Sequence, residues 1–308
     1  MVDSPLILVT GAAGSVGSVG RRVVDHLRRR GYAVRALVHR EDERADALRA
    51  MGAEVVAGDL TRPADVVGAL DGCHRMYFGM GVSSQYLEAA LVTAAAARAH
   101  GRLEVFVDMS QMTVTQMDLT STEESTQQRQ HWLTEQVLDW SGLPVTHVRP
   151  TVFMENPLFR LFCFASIARD GTIRLPFGQA RTSPVAAEDA ARVVAAVLAD
   201  PAPHIGHVYE LTGPVSQDMG AMAEEFSSAL GRPVTYVDPP FEQFEDEVRR
   251  QGLPDHVVEH LTTMARLHAR NRYDRETHGV EEVTGRPAAG VREFVEDNPE
   301  LFRSAEAS

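Results

Sequence analysis

Short apolar runs alternate, through the first half of the chain, with longer stretches whose apolar residues recur at helical spacing. Residues 6–9, 32–38, 54–60, 76–80, 103–110 and 144–150 read as six buried strands. Helices are expected to begin at about 21, 44, 63, 86 and 127, the third opening at Pro63, where a missing N–H costs nothing. Strict alternation of strand and helix predicts an α/β fold: a Rossmann-type doubly wound parallel sheet joined by right-handed crossovers. Its ligand is expected beyond the carboxyl ends of the strands.

After Pro150 the pattern changes. Residues 153–168 are rich in aromatic and aliphatic side chains, including Phe159, Phe162 and Phe164, and 174–178 cross over. A helix over 188–199 and a seventh strand over 207–211 follow, then helices near 217–230, 241–251, 255–272 and 290–298 that are expected to form a lid. We therefore divide the chain into a dinucleotide-binding domain, 1–152, and a smaller, mostly helical substrate region, 153–308. Residues 187–213 are expected to pack back on the sheet.

The densest chemical signal follows the first strand: Thr10-Gly11-Ala12-Ala13-Gly14-Ser15-Val16-Gly17-Ser18-Val19-Gly20. Glycines after a strand and before a helix let the backbone turn tightly against a pyrophosphate, which free N–H groups and the helix dipole attract. Thr10, Gly11, Gly14, Ser15, Val16, Gly17 and Gly20 are the expected cofactor contacts. Glycine recurs at 11, 14, 17 and 20, so one Ser-Val-Gly triplet is surplus. It lengthens either the phosphate loop or the first helix by about one turn.

The second strand ends in His39-Arg40, where an acidic residue would suit the ribose of NAD and an arginine suits a 2′-phosphate. NADP(H) is thus expected ahead of NAD(H), the alternative being a solvated Arg40. Asp59 and Leu60 are placed to border the adenine, while Gly79, Met80, Ser110, Pro150 and Phe153 stand at or just past strand ends.

Charge and composition narrow the partners. A formal net charge of −13 disfavours nucleic acid and anionic membrane surfaces, and no apolar run approaches the roughly 20 residues of a membrane span. Cys73 and Cys163 have no paired spacing, and the start of the chain lacks a basic, then apolar, leader pattern, so the cytoplasm is the expected compartment. All 30 basic residues are arginine, which excludes Schiff-base chemistry. His256-Val257-Val258-Glu259-His260 matches the order of an inverted zinc-peptidase motif. Nothing else in the sequence suggests a zinc protein, so no metal site is expected. Residues 42–49 read as a solvated helix face.

The chain resembles an atypical short-chain dehydrogenase/reductase of the NmrA-like group. The resemblance rests on T-G-A-x-G at Thr10 to Gly14, Gly58-Asp59-Leu60, the stretch from Ser141 to Pro150, Phe153-Met154-Glu155-Asn156, and Tyr209-Glu210-Leu211-Thr212-Gly213. Typical members of the wider superfamily use a Tyr-x-x-x-Lys pair; the resemblance puts Gln127 and His131 in its place. His131 is then the remaining group that could hydrogen-bond the ribose or give a proton, unless it is structural. Ser110 falls near the family's active-site serine, either orienting a carbonyl oxygen or capping a strand.

Hydride transfer needs no protein acid when a phenol or enol beside the carbonyl relieves the charge. The implied activity is NADPH-dependent reduction of a carbonyl or quinone on an aromatic or polyketide-like small molecule. Gln111, Met112, Trp132, Phe153, Phe177 and Tyr273 are the expected substrate contacts. The rival expectation is a regulator that senses NADP(H) without chemistry and signals to a partner protein.

Overall fold

The glycine turn lies where the chain reverses its direction of winding. In the computed structural model, which describes residues 5–14 and 18–303, the N-terminal half runs β1 (Leu6–Val9), α1 (Val19–Arg29), β2 (Ala33–Val38), α2 (Glu43–Ala50), β3 (Glu54–Ala57), α3 (Pro63–Leu70), β4 (Cys73–Phe78), α4 (Tyr86–His100), β5 (Val105–Met109), α5 (Thr126–Ser141) and β6 (Val145–Pro150). Then come α6 (Pro157–Phe159), a π-helical turn (Arg160–Phe164), α7 (Ala165–Asp170), β7 (Thr172–Arg174), α8 (Ala187–Ala199), β8 (Val208–Leu211), α9 (Met219–Leu230), β9 (Thr235–Val237), α10 (Phe241–Arg250), α11 (Asp255–Ala269), α12 (Gly279–Thr284) and α13 (Val291–Asp297).

Seven strands form one parallel sheet in the order β3-β2-β1-β4-β5-β6-β8. The chain builds outward from β1 to β3, then restarts at β4 on the other side, so a crevice opens between β1 and β4 at their carboxyl ends. One face of the sheet is covered by α1, α8 and α12, with Val23, Leu27, Val193 and Val197 fully buried. The other is covered by α3, α4 and α5 around Phe78, Tyr86 and Phe106. A third apolar cluster, from Val152 to Phe302, packs Phe164 against Phe226, Phe294 and Phe302 at 5.1–5.9 Å between ring centroids. Each such ring contributes about 1.5–3 kcal/mol by leaving water.

Three features escaped the sequence pattern. β7 and β9 pair in parallel as a separate two-stranded sheet, and α12 spans six residues. Elements of three to six residues are too short to show a period. Between β5 and α5 the chain forms a 3₁₀ turn, Met112–Gln116, with Met112, Thr113 and Val114 buried.

The four helices expected as a lid, α9, α10, α11 and α13, all contribute buried residues to the third apolar cluster. Of the four lid helices, only α11 borders the main cavity among the described residues.

Candidate active site

Glycine geometry builds the floor of the site. Gly11 has φ +65°, and a Cβ there would lie 2.3 Å from the carbonyl oxygen of Gly79. No side chain fits at Gly11. Thr10 Oγ1 donates to that same carbonyl and accepts from the Gly79 N–H, both at 3.0 Å, which fixes the ends of β1 and β4 against each other. A Cβ on Gly20 would meet the Ala12 Cα and N and the Gly11 C at 2.8 Å. Gly20 therefore fills the role of the glycine that lets the first helix lie against the turn. The described α1 starts at Val19 after Ser18 at φ 50°. Ser15, Val16 and Gly17 lie outside the described residues.

From this turn a cavity of about 520 Å³ extends over the carboxyl ends of β4, β5 and β6 to α11. It brings together Gly11, Gly14, Gly20, Gly79, Met80, Ser110, Gln111, Met112, His131, Pro150, Phe153 and Tyr273 of the residues picked from sequence. Thr10 is buried just beneath.

Others stand elsewhere. His39 and Arg40 are exposed at the end of β2, off the cavity wall. Asp59 accepts from the Thr61 N–H and hydroxyl at 2.9 and 2.8 Å, which lowers its carboxyl pKa, and Leu60 packs against the α3–α4 side of the core. Trp132 is half-buried and away from the cavity wall. Phe177 is enclosed, stacked on His268 at 4.2 Å, with Tyr273 on the other face of that imidazole at 3.7 Å. As a substrate contact Phe177 is displaced by one ring stack: Tyr273 makes the cavity wall and Phe177 supports it from behind.

Sequence reasoning missed Arg44. Arg44 is exposed, as the solvated face of 42–49 predicts, but it also lines the cavity, where its Nη1 donates to the Ala13 carbonyl at 2.9 Å and its guanidinium pairs with Asp42. The available signal was a second arginine at the start of α2, beyond the carboxyl end of β2. Arg44 is the single charged side chain among the described lining residues, and none of these is a carboxylate.

Two histidines line the cavity, and both are held neutral. Burial pushes His131 down to about 3, helped by His260, and burial pushes His260 down to about 4. Gln127 Oε1 accepts from the Ser83 N–H at 3.1 Å, which turns its amide N–H toward His131 Nε2 at 3.2 Å. His131 Nε2 is then an acceptor, and its one proton, on Nδ1, faces Tyr86 Oη at 2.8 Å. Both nitrogens of His131 are committed to protein partners. Meanwhile three polar groups at the end of β5, Ser110 Oγ, Gln111 Nε2 and Thr113 Oγ1, are buried without a hydrogen-bond partner. Such groups cost free energy unless something meets them.

The zinc-like motif has other work. Glu259 Oε1 accepts from the Thr126 N–H at 3.0 Å, and His260 Nδ1 lies 2.8 Å from Ser125 Oγ, so the pair docks α11 on the start of α5. Elsewhere Asp108, Glu135 and His147 offer ligand atoms within 4.8 Å of one another. There Asp108 and Asp139 accept from the two His147 nitrogens, and Glu135 pairs with Arg149. Burial opposes the charge on His147, but the Asp108 hydrogen bond and charge raise it to about 9.

Comparison with known proteins gives the family and the fold. The model of the NmrA-like family matches residues 3–296. An NAD(P)H azoreductase of Xenophilus azovorans is 30% identical over 305 residues, covering 97% of this chain and 100% of that protein. A (4-alkanoyl-5-oxo-2,5-dihydrofuran-3-yl)methyl phosphate reductase of Streptomyces griseus is 31% identical over 301 residues, 96% and 99% of the two chains. Among solved structures, an Escherichia coli NADPH-dependent quinone oxidoreductase in complex with NADPH superposes with a TM-score of 0.81 at 24% identity, over 94% of this chain and 99% of the other. No helix among the described residues is long and apolar enough to cross a membrane.

Proposed function

The chain belongs to the NmrA-like family, and from that premise we propose that it is an NADPH-dependent reductase of neutral, planar aromatic acceptors, quinones or aryl carbonyls. The coarse class stands independently: it is an NAD(P)H-dependent oxidoreductase. The observation that supports the finer reading is the cavity itself. It is continuous with the glycine cradle, walled by Met80, Met109, Met112, Phe153, Leu261 and Met264, and supplied with hydrogen-bond donors but, among the described residues, with no carboxylate. An apolar slot of that kind suits a flat ring system carrying oxygen acceptors and repels nothing neutral.

The glycine turn and Gly79 form a backbone cradle that a Cβ would fill, which fits a dinucleotide pyrophosphate. Bound NADPH supplies the hydride. Ser110 and Gln111 offer the acceptor donors that have no partner among the described residues. Gln127 in place of a phenol is no acid, and His131, neutral and doubly engaged, holds α4 and α5 together rather than storing a proton. The proton then comes from solvent or from a phenol of the substrate.

The test is NADPH oxidation, followed by absorbance, over naphthoquinones, hydroxylated aryl ketones and azo dyes. Turnover of the quinones or ketones is expected. His131→Phe should lose less than about tenfold in kcat, against the about 10²–10⁴-fold that removal of a general acid costs. Tight NADPH binding with no turnover across the panel would refute the reductase and favour a cofactor-sensing regulator.

A further inference from the structure

We infer that His260, on α11, is a substrate-binding residue that presents a neutral imidazole Nε2–H to the acceptor atom, in a tautomer imposed by the hydroxyl of Ser125. The inference rests on the reductase reading and deepens it. It begins with a hydrogen count at Ser125, the fully buried N-cap of α5. Ser125 Oγ accepts from the Gln128 N–H at 3.2 Å, while the Gln128 side chain accepts from the Ser125 N–H at 2.9 Å. That reciprocal box leaves Ser125 one hydroxyl hydrogen, and His260 Nδ1, at 2.8 Å, is the acceptor it meets.

Were the proton on Nδ1 instead, Ser125 Oγ would accept twice and its own hydrogen would be buried without an acceptor, a costly arrangement. With Ser125 donating, every group in the box is satisfied. The imidazole proton then resides on Nε2. That nitrogen has no protein partner among the described residues, and His260 lines the cavity.

The two cavity histidines are thus opposites. His131 has its proton on Nδ1 and both nitrogens engaged by Tyr86 and Gln127; His260 keeps an N–H to spare. Ser110 Oγ, Gln111 Nε2 and Thr113 Oγ1, in the same cavity, are also without a partner among the described residues. His260 sits at the positive end of α5, which disfavours an imidazolium and keeps the ring neutral. A neutral imidazole N–H in such a place acts as an electrophile: it polarises an oxygen or nitrogen lone pair and keeps its proton. The site consequently selects neutral acceptors with a lone pair, quinone or carbonyl oxygen above all, over cationic carbon acceptors, for which it has no carboxylate.

The tautomer is directly measurable by long-range ¹H–¹⁵N NMR on protein labelled with ¹⁵N-histidine, the His260 signals being identified by their loss in His260→Gln. The expected pattern is Nε2–H at neutral pH, shifting toward a tautomer mixture in Ser125→Ala. Adding 2-methyl-1,4-naphthoquinone to wild-type protein loaded with NADP⁺ should move the Nε2–H resonance. In turnover, His260→Phe should lower kcat/KM for the quinone about tenfold or more, and His260→Gln, which keeps an N–H donor, should recover part of that loss. An Nδ1–H tautomer overturns the inference while leaving the reductase intact. So does an Nε2–H resonance unmoved by a quinone that the enzyme turns over. Absence of turnover across the whole acceptor panel defeats the reductase reading and this inference with it.

Discussion

Acid should destabilise this protein well above the carboxylate range, because three histidines are folded in the neutral state. Burial pushes His131 to about 3, His260 to about 4 and His268 to about 3. His268 is completely enclosed, donating from Nδ1 to the Met264 carbonyl at 2.7 Å between the Phe177 and Tyr273 rings. Each folded pKa lies below the unfolded value of about 6.5, so the unfolded chain takes up the proton first and stability falls as pH drops from about 6.5 toward about 4. Between about pH 7 and about pH 5.5 each group costs somewhat more than about 1 kcal/mol, about 4 kcal/mol for the three together.

His147 works the other way. Its pKa is raised to about 9, so its contribution is full at low pH and lost as pH rises through that value. Over the same window it returns about 1 kcal/mol, leaving a net loss of about 3 kcal/mol, a large share of an ordinary folding free energy of about 5–15 kcal/mol. The assay is urea unfolding across that window in wild type and in His268→Phe, which keeps a ring in the stack. Whatever the variant does to stability at neutral pH, its pH dependence should shrink by about 1 kcal/mol over the window. Stability flat with pH in the wild type, or an equal slope in the variant, would refute the assignment of neutral buried histidines.

Two further outcomes concern the cofactor. Arg44 faces the cavity beside the glycine turn and Arg40 stands outside it, so Arg44→Ala should lower the preference for NADPH over NADH by about 10–100-fold, as expected for a charge-assisted contact to phosphate, and Arg40→Ala by less. Equal Kd ratios in both variants, measured by fluorescence titration, would contradict that ranking. Gly20→Ala drives a Cβ into backbone atoms that cannot rotate away, and should cost about 1–3 kcal/mol of stability and most of the NADPH affinity. Retention of wild-type Kd would show that the turn adjusts without displacing the phosphate contacts.

What the chain declares locally, it declares through period and covalent constraint. The alternation of strands and helices through Pro150, the glycine turn and the lack of lysine required no three-dimensional knowledge, because strand pattern and tight turns are properties of neighbouring residues. The choice among four regularly spaced glycines was of another kind. Gly20 became the packing glycine because Ala12 and Gly11 lie against it, a contact the local sequence does not display. Arg44 is surface, as read, but helix periodicity cannot see that it also reaches a neighbouring loop, and Phe177 looked like a pocket wall because hydrophobicity does not reveal which ring stands in front.

The histidines show the division most sharply. His131 and His260 are the same side chain in the same cavity; in the sequence one stands where a proton donor would, and the other in a zinc-peptidase-like order that carries no expectation of a metal. Their protonation is decided by Gln127, Tyr86 and Ser125, brought to them by helix packing. Ionisation and tautomer depend on burial and on the opposing atom at hydrogen-bond distance, and those exist only after α4, α5 and α11 have met above the sheet.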